Sequence, residues 1–232
     1  MANNYFRFRQ FTIWQGNCAM KVGTDGTLLG AWAHGGSNIL DIGTGTGLIA
    51  LMMAQRFSEA RVVGIDIDRQ AIEQARENVS QSPFSMRIEL LTADVNDYQP
   101  QVAFDAIVSN PPFFDNSLLC PDGLRTIARH TVTLTYASLM SCAYRLLSDS
   151  GEFSLIVPAE CLSKIESAAV LTGFFRTRLC AVRTTPAKPV RRYLLAFAKH
   201  PASSPSVEEG VIETQPGCRS DWYQKLTKDF YL

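Results

Sequence analysis

From Asn38 to about Lys199, short β-branched apolar runs alternate with segments whose apolar residues recur at helical spacing. That alternation predicts a mostly parallel sheet covered by helices on both faces. The strand-like runs are Asn38–Ile42, Arg61–Asp66, Met86–Thr92, Phe104–Ser109, Glu152–Val157, Phe174–Val182 and Arg192–Ala198. Between them Leu48–Phe57 is apolar nearly all round, and Ala71, Ile72, Ala75 and Val79 form a stripe, as do Leu139, Met140, Ala143, Leu146 and Leu147. Each stripe can cover one face of a sheet. Arg183–Arg191 has no helical pattern, so the last two runs are expected to form an antiparallel hairpin closing the sheet edge. The predicted fold class is α/β: a doubly wound, seven-stranded, mostly parallel sheet with an antiparallel last strand.

The flanks change this picture little. Asn4–Met20 is aromatic and β-prone, with Tyr5, Phe6, Phe8, Phe11 and Trp14 interleaved with Arg7 and Arg9, and predicts a small hairpin. Pro201–Pro216 reads as a loose connection and Asp221–Leu232 as a more ordered tail. The 232 residues suit one domain, divided into an N-terminal hairpin and lid segment (1–35), a core (36–200) and a C-terminal extension (201–232). Hydrophobic residues make up 46% and charged residues 19%, the balance of a globular protein. No apolar run approaches the roughly 18 residues of a membrane span, and the start MANNYFRFRQ does not look like a signal peptide, so a cytoplasmic monomer is expected. Cys18, Cys120, Cys142, Cys161, Cys180 and Cys218 form no CxxC pair and, with three histidines, no zinc spacing; reduced thiols and no metal are expected. A formal net charge of zero argues against a broad basic surface but leaves room for a local patch.

The strongest chemical signal is Ile39-Leu40-Asp41-Ile42-Gly43-Thr44-Gly45-Thr46-Gly47-Leu48, a strand ending in a glycine-rich turn that opens a helix. Such a turn lets the backbone approach a ligand closely. In a dinucleotide-binding turn the third glycine follows two intervening residues, but here Gly47 comes one residue early. The G-x-G-x-G spacing favours S-adenosylmethionine over NAD, and the reversed last strand separates many methyltransferases from dehydrogenases. Asp41 would lie near the positive amino-acid end of that cofactor, directly or through water. Asp66 at the end of the second run could accept both ribose hydroxyls, with Asp68 as its competitor. Asp94 could accept the adenine amino group while the Ala93 amide donates to the ring. Lys21, Thr24 and Asp25, before the first run, either fold over the cofactor as a lid or form a helix-capping turn.

Ser109-Asn110-Pro111-Pro112-Phe113-Phe114 ends the fourth run, and Asn110 also borders the cofactor. Pro111 and Pro112 fix the backbone direction and remove two amide donors, so the Pro111 carbonyl and the Asn110 side chain can stand as rigid acceptors for an NH₂ group. Two acceptors would draw the delocalised lone pair of such an amine toward its nitrogen and aim it at a methyl donor. Phe113 could stack on an extruded base. The same four residues could serve an adenine amine, a guanine amine or a protein glutamine amide.

The segments MKVGTDGTLLGAW, DIGTGTGLIALMMAQR, SNPPFF, ARHTVTLTY and LTKDFYL together resemble the bacterial tRNA1(Val) adenine N6-methyltransferase family over nearly the whole chain. That resemblance implies methylation of the adenosine just 3′ of the anticodon in valine tRNA, adenine 37. It also implies Asn110 to Phe113 for the base and Asp41, Asp66 and Asp94 for the cofactor. For gripping tRNA the candidates are Arg7 and Arg9 in the hairpin, Arg125 and Arg129 beyond the active loop, and Lys188, Arg191 and Arg192 near the sheet edge. His130 could contact phosphate or cap a helix. The alternatives are an enzyme for a guanine N2 or adenine N6 amine of ribosomal RNA and a non-catalytic module that binds cofactor and docks RNA. Against a protein-glutamine enzyme, the loop ends in Phe rather than Tyr and no helical N-terminal domain is present.

Overall fold

The computed structural model describes residues 4–16, 22–111 and 134–231. The N-terminal segment forms the expected hairpin, β1 (Tyr5–Arg7) with β2 (Thr12–Trp14), followed by a helix the periodicity did not predict, α1 (Thr24–Trp32). Then come β3 (Asn38–Ile42), α2 (Leu48–Arg56), β4 (Arg61–Asp66), α3 (Arg69–Ser80), β5 (Ile88–Thr92) and β6 (Phe104–Ser109). After the active-loop segment follow α4 (Tyr136–Leu146), β7 (Leu147–Pro158), α5 (Leu162–Thr172), β8 (Phe175–Arg183) and β9 (Val190–Ala198). The chain ends in β10 (Ser206–Val211), a small ladder of β11 (Glu213–Gln215) and β12 (Cys218–Arg219), and α6 (Asp221–Thr227).

Local chemistry sets these boundaries. Asp68 caps α3 by accepting the Gln70 amide at 2.8 Å, and Thr135 and Ser220 cap α4 and α6 in the same way. The stripe Ile72, Ala75 and Val79 buries one face of α3, each large apolar side chain adding about 1.5–3 kcal/mol when fully removed from water. The run expected at Met86–Thr92 starts two residues late. Ser85–Arg87 is a 3₁₀ turn that leaves Met86 exposed and sends Arg87 to the carbonyls of Ala54, Phe57 and Ala60 at the end of α2. Those carbonyls lack helical partners, so satisfying them outweighs extending the strand.

The sheet has eight strands in the order β10-β8-β9-β7-β6-β3-β4-β5, and β9 alone runs antiparallel to its neighbours. The seven expected strands are all present, with the last one reversed. Two features differ from expectation. The β8–β9 hairpin does not close the edge, because β9 inserts between β7 and β8. The edge is β10, within the segment expected to be a loose connection. Its sequence, Ser-Val-Glu-Glu-Gly-Val, lacks an apolar run because an outermost strand is held by backbone bonds to β8 with its side chains largely exposed. Gly210 is the exception: a Cβ there would stand 2.4 Å from the Trp222 ring of α6, so only glycine admits this approach.

Alternation along the strands divides the core. Leu40 and Ile42 of β3 face the layer of α4 and α5, while Ile39 faces the layer holding the hairpin, α1, α2, α3 and α6. Phe8 stacks on Phe11 and Tyr231, and Phe230 is buried, so the chain's two ends pack together under that second layer. No described helix is long and apolar enough to cross a membrane.

Candidate active site

The glycine-rich turn leaves β3 at the carboxyl ends of the parallel strands. Gly43, Gly45 and Gly47 all have positive φ, at 72°, 54° and 81°, which side chains with a Cβ resist. Added Cβ atoms at Gly43 and Gly45 would meet nothing within 4 Å, so that part of the turn borders open space; at Gly47 the limit is Ala75 of α3, 3.3 Å away. The turn is held from behind. The Gly43 and Thr44 amides donate to the Ile65 carbonyl, and the Gly45 amide donates to Asp66 Oδ2 at 2.9 Å.

Asp41 is fully buried. Its Oδ2 accepts the Thr44 hydroxyl at 2.7 Å and the Ala50 amide at 3.1 Å, tying the strand end to the first turn of α2, while its Oδ1 is buried with no partner among the described residues. Burial pushes its pKa up to about 7, with the Asp66 charge adding to the rise against the two hydrogen bonds that oppose it. A buried acceptor without a partner is costly, so a cationic or N–H group at Oδ1 would relieve it.

The structure separates Asp66 from its competitor. Asp68 is committed to capping α3, whereas Asp66 ends β4 and its carboxylate holds the Gly45 and Asp68 amides at 2.9 Å each, keeping lone pairs for a hydroxyl. Asp94 lies half-buried just past β5 with Oδ1 accepting from the Asn96 amide and side chain, both at 2.8 Å. Ala93 departs from expectation. Its amide donates to the Asp66 carbonyl at 3.0 Å, the next rung after the β4–β5 ladder, and so is not available to a ligand ring. Thr24 and Asp25 depart as well. They form the first turn of α1 behind Gly23, which makes no side-chain cap, and Asp25 accepts Arg192 Nε at 2.7 Å. They lie within the helix and do not cap it.

Beside β3, β6 delivers Asn110 immediately after Ser109, whose hydroxyl bonds the Ile42 carbonyl at 2.9 Å and locks the two strand ends together. Asn110 Oδ1 is buried with no partner among the described residues, and Pro111 is buried next to it. Two other buried oxygens without partners, Gln55 Oε1 and Ser148 Oγ, belong to the last turn of α2 and the start of β7, at the opposite edge. Asp41 and Asn110 thus stand at adjacent strand ends, each with an idle acceptor, in front of a turn that borders open space.

The expected RNA-contacting cations fall into two groups. Arg9 donates to the Tyr231 carbonyl at 2.5 Å and Arg192 pairs with Asp25, so both serve the fold: Arg9 ties the hairpin to the C-terminal tail, Arg192 ties β9 to α1. Arg7, Lys188 and Arg191 are exposed, and their side chains make no hydrogen bond or ion pair among the described residues. Lys188 and Arg191 lie at the β8–β9 turn, on the same sheet edge as Asn110. β9 is two strands from β6, or about 10 Å at the usual strand spacing. Lys21, Pro112, Phe113, Arg125, Arg129 and His130 lie outside the described residues. Among the described residues no cluster of His, Cys, Asp or Glu could hold a metal ion, and Cys142, Cys161, Cys180 and Cys218 are free thiols.

Asn78 was missed by sequence reasoning. It is fully buried on α3, accepts the Trp14 amide at 2.8 Å, and donates to the carbonyls of Trp14 and of Thr46 in the glycine turn, at 3.0 and 2.9 Å. Its position three residues after Ala75, inside the apolar stripe, was the available signal: an amide on a buried face must have partners.

The methyltransferase small domain family model matches residues 26–178. The chain is 45% identical over its whole length to a Bacteroides thetaiotaomicron protein named tRNA1(Val) (adenine(37)-N6)-methyltransferase, and 47% identical to one of the same name from Phocaeicola vulgatus, covering 99% of each. Among solved structures, a predicted O-methyltransferase from Agrobacterium tumefaciens superposes with a TM-score of 0.67 over 89% of this chain and 96% of that one, at 21% identity, which shows a shared fold. The chain therefore belongs to the methyltransferase small domain family and, at such identities over its full length, to the family of the tRNA1(Val) (adenine(37)-N6)-methyltransferases.

Proposed function

We propose that the protein methylates the N6 amine of adenine 37 in tRNA1(Val), in the cytoplasm, with S-adenosylmethionine as donor. The observation that carries this reading is the unpartnered, buried Asn110 Oδ1 at the end of β6, one strand from the glycine turn and the equally unpartnered Asp41 Oδ1. An acceptor without a donor at that place suits an incoming NH₂ group. The relatives of the same length and name supply the choice of base and RNA.

The residues present fit the cofactor. Gly43 and Gly45 border open space, Asp41 Oδ1 suits an ammonium group, and Asp66 at the end of β4 keeps lone pairs for ribose hydroxyls. When bound, S-adenosylmethionine supplies an electrophilic methyl group on a sulfonium. The chain's own part is positioning and polarisation. Asn110 Oδ1 accepts one hydrogen of the exocyclic amine and the Pro111 carbonyl accepts the other, which localises the nitrogen lone pair and fixes its direction. Ser109, bonded to Ile42, ties the end of β6 to the strand that leads into the turn. Lys188 and Arg191 stand at the rim, where phosphates of a bound RNA would lie.

The test is transfer of labelled methyl from S-adenosylmethionine to total tRNA from a strain lacking the protein, with the product nucleoside identified by mass spectrometry. N6-methyladenosine confined to valine tRNA is expected. Label in ribosomal RNA or protein, with none in tRNA, would overturn the substrate.

A further inference from the structure

In the β1–β2 ladder Tyr5 is opposite Trp14, Phe6 opposite Ile13, and Arg7 opposite Thr12. With a period of two, Phe6 and Ile13 share one face and Tyr5, Arg7, Thr12 and Trp14 the other. The first face packs on the molecule: Ile13 is fully buried, and the Phe6 ring, itself 36% exposed, meets Phe8 and Tyr231. The second faces solvent, where polar side chains are the rule for a one-sided sheet. Here it carries two aromatic rings instead, Tyr5 at 43% and Trp14 at 38% exposure, with centroids 5.2 Å apart.

Trp14 is held in place. Trp14 Nε1 donates to Gln81 Oε1 at 3.1 Å, and both backbone groups of Trp14 are taken by the buried Asn78 amide. The same amide holds the Thr46 carbonyl, so the aromatic face is braced through one side chain against the glycine turn of the active site. Arg7, two residues along from Tyr5 on the same face, is exposed and unpaired among the described residues. Half-exposed rings, one of them fixed, beside an unpaired guanidinium match what recognises single-stranded RNA: unpaired bases stack on Tyr and Trp, and Arg meets phosphate. A protein partner would be expected to meet aliphatic side chains around the rings, and among the described residues of the ladder this face has none.

We infer that the outer face of the N-terminal hairpin is an RNA-docking surface, on which an unpaired base of the tRNA, distinct from the target adenine, stacks against Tyr5 and Trp14 while Arg7 contacts a phosphate. This rests on the reading that the substrate is tRNA.

The test compares the wild-type protein with a Tyr5→Ser/Trp14→Ala double variant, each checked for folding by thermal melting. Kd and KM are measured for an unmodified valine tRNA transcript, and KM for S-adenosylmethionine alongside. The double variant should raise KM for tRNA about tenfold, the loss of one stacked base, with KM for S-adenosylmethionine unchanged. Trp14→Phe, which keeps a ring, should recover most of the loss, and Arg7→Gln should lower the salt dependence of binding by about one ion. If the double variant does not fold, Tyr5→Ser alone carries the test, since it keeps the Trp14 ring and its Nε1 bond to Gln81. A folded variant that binds tRNA like the wild type overturns the surface, and so does a parallel rise in KM for S-adenosylmethionine, which would make the face only a brace for the glycine turn. If tRNA binding depends on the rings but no methyl reaches adenine 37, the docking surface stands and the proposed reaction falls. If methylation is robust and indifferent to the rings, the reverse holds. A wild-type protein that binds no RNA overturns both.

Discussion

At the amino-terminal ends of the strands, Arg178 packs its guanidinium 3.8 Å from the Trp32 ring and holds Glu152 through two bonds of 2.6 and 3.2 Å, with His34 3.4 Å from the same carboxylate. Arg56 and Arg87 close the carbonyl ends of α1 and α2 at that edge. At the carboxyl ends, Asp41 and Asn110 each keep a buried acceptor without a partner, and Lys188 and Arg191 have no side-chain partner, among the described residues. The pKa shifts follow the same division. Burial alone would raise Glu152, but the hydrogen bonds from His34 and Arg178 and the Arg178 charge together hold it at about 2, whereas burial wins at Asp41 and takes it to about 7. At the first edge the charged groups are paired within the fold, although Gln55 Oε1 and Ser148 Oγ lack partners there among the described residues. The other edge keeps polar groups for a ligand, which is where an open α/β sheet binds its substrates.

The largest effect should come from Asn110→Ala. Methyl transfer at saturating cofactor should fall about 10²- to 10³-fold, as for loss of one group preorganised around a reacting atom, while calorimetric affinity for S-adenosylmethionine stays within about twofold. Equal loss of both would mean that the residue serves the loop and not the reaction, erasing the contrast between the edges.

At the opposite edge Arg178→Met should leave the Glu152 carboxylate with His34 and the Ser154 and Thr177 hydroxyls but no guanidinium, and lower stability by about 3 kcal/mol in urea unfolding, with activity per folded molecule unchanged. Glu152, whose folded pKa is depressed, stabilises the protein above its ordinary range and loses that contribution as pH falls through about 2. A rise in KM for either substrate would show that the two edges are coupled.

The smallest effect is the pH dependence of Asp41. Because its folded pKa is raised, its contribution to stability is complete below the ordinary carboxylate range and lost as pH rises through about 7. The unfolding free energy of the wild type relative to Asp41→Asn should therefore decline over that window. Cofactor affinity should move the other way, falling about tenfold from pH 8 to pH 6 as the carboxylate protonates, and Asp41→Asn should flatten that profile. A flat wild-type profile would mean that Oδ1 does not face the cofactor.

Much of this was legible in the chain. β3, β4 and β6 run between the residues expected, because short buried strands are written as contiguous apolar runs, and the glycine spacing and the acids near the ends of β3 and β4 and just past β5 marked the turn and its neighbours. α1 was not legible: it is buried nearly all round and has no stripe to betray a helix. Nor was β10, whose place depends on backbone bonds to a strand more than 20 residues earlier and on a glycine that yields to Trp222.

Sequence by itself determined the seven strands from β3 to β9 with the helices between them, the reversal of β9 and the cofactor turn, since each is a local pattern of side chains. Only the tertiary structure decided which polar groups were still available. Arg9 and Arg192 look like Arg7 and Arg191 along the chain, yet the first two are taken by Tyr231 and Asp25. The Ala93 amide went to Asp66, and Asn78 was drawn between Trp14 and Thr46. Those outcomes depend on residues brought from 27 to 222 positions away. Hydrogen-bonding capacity belongs to the residue, but whether it is spent depends on which neighbours the fold brings to it.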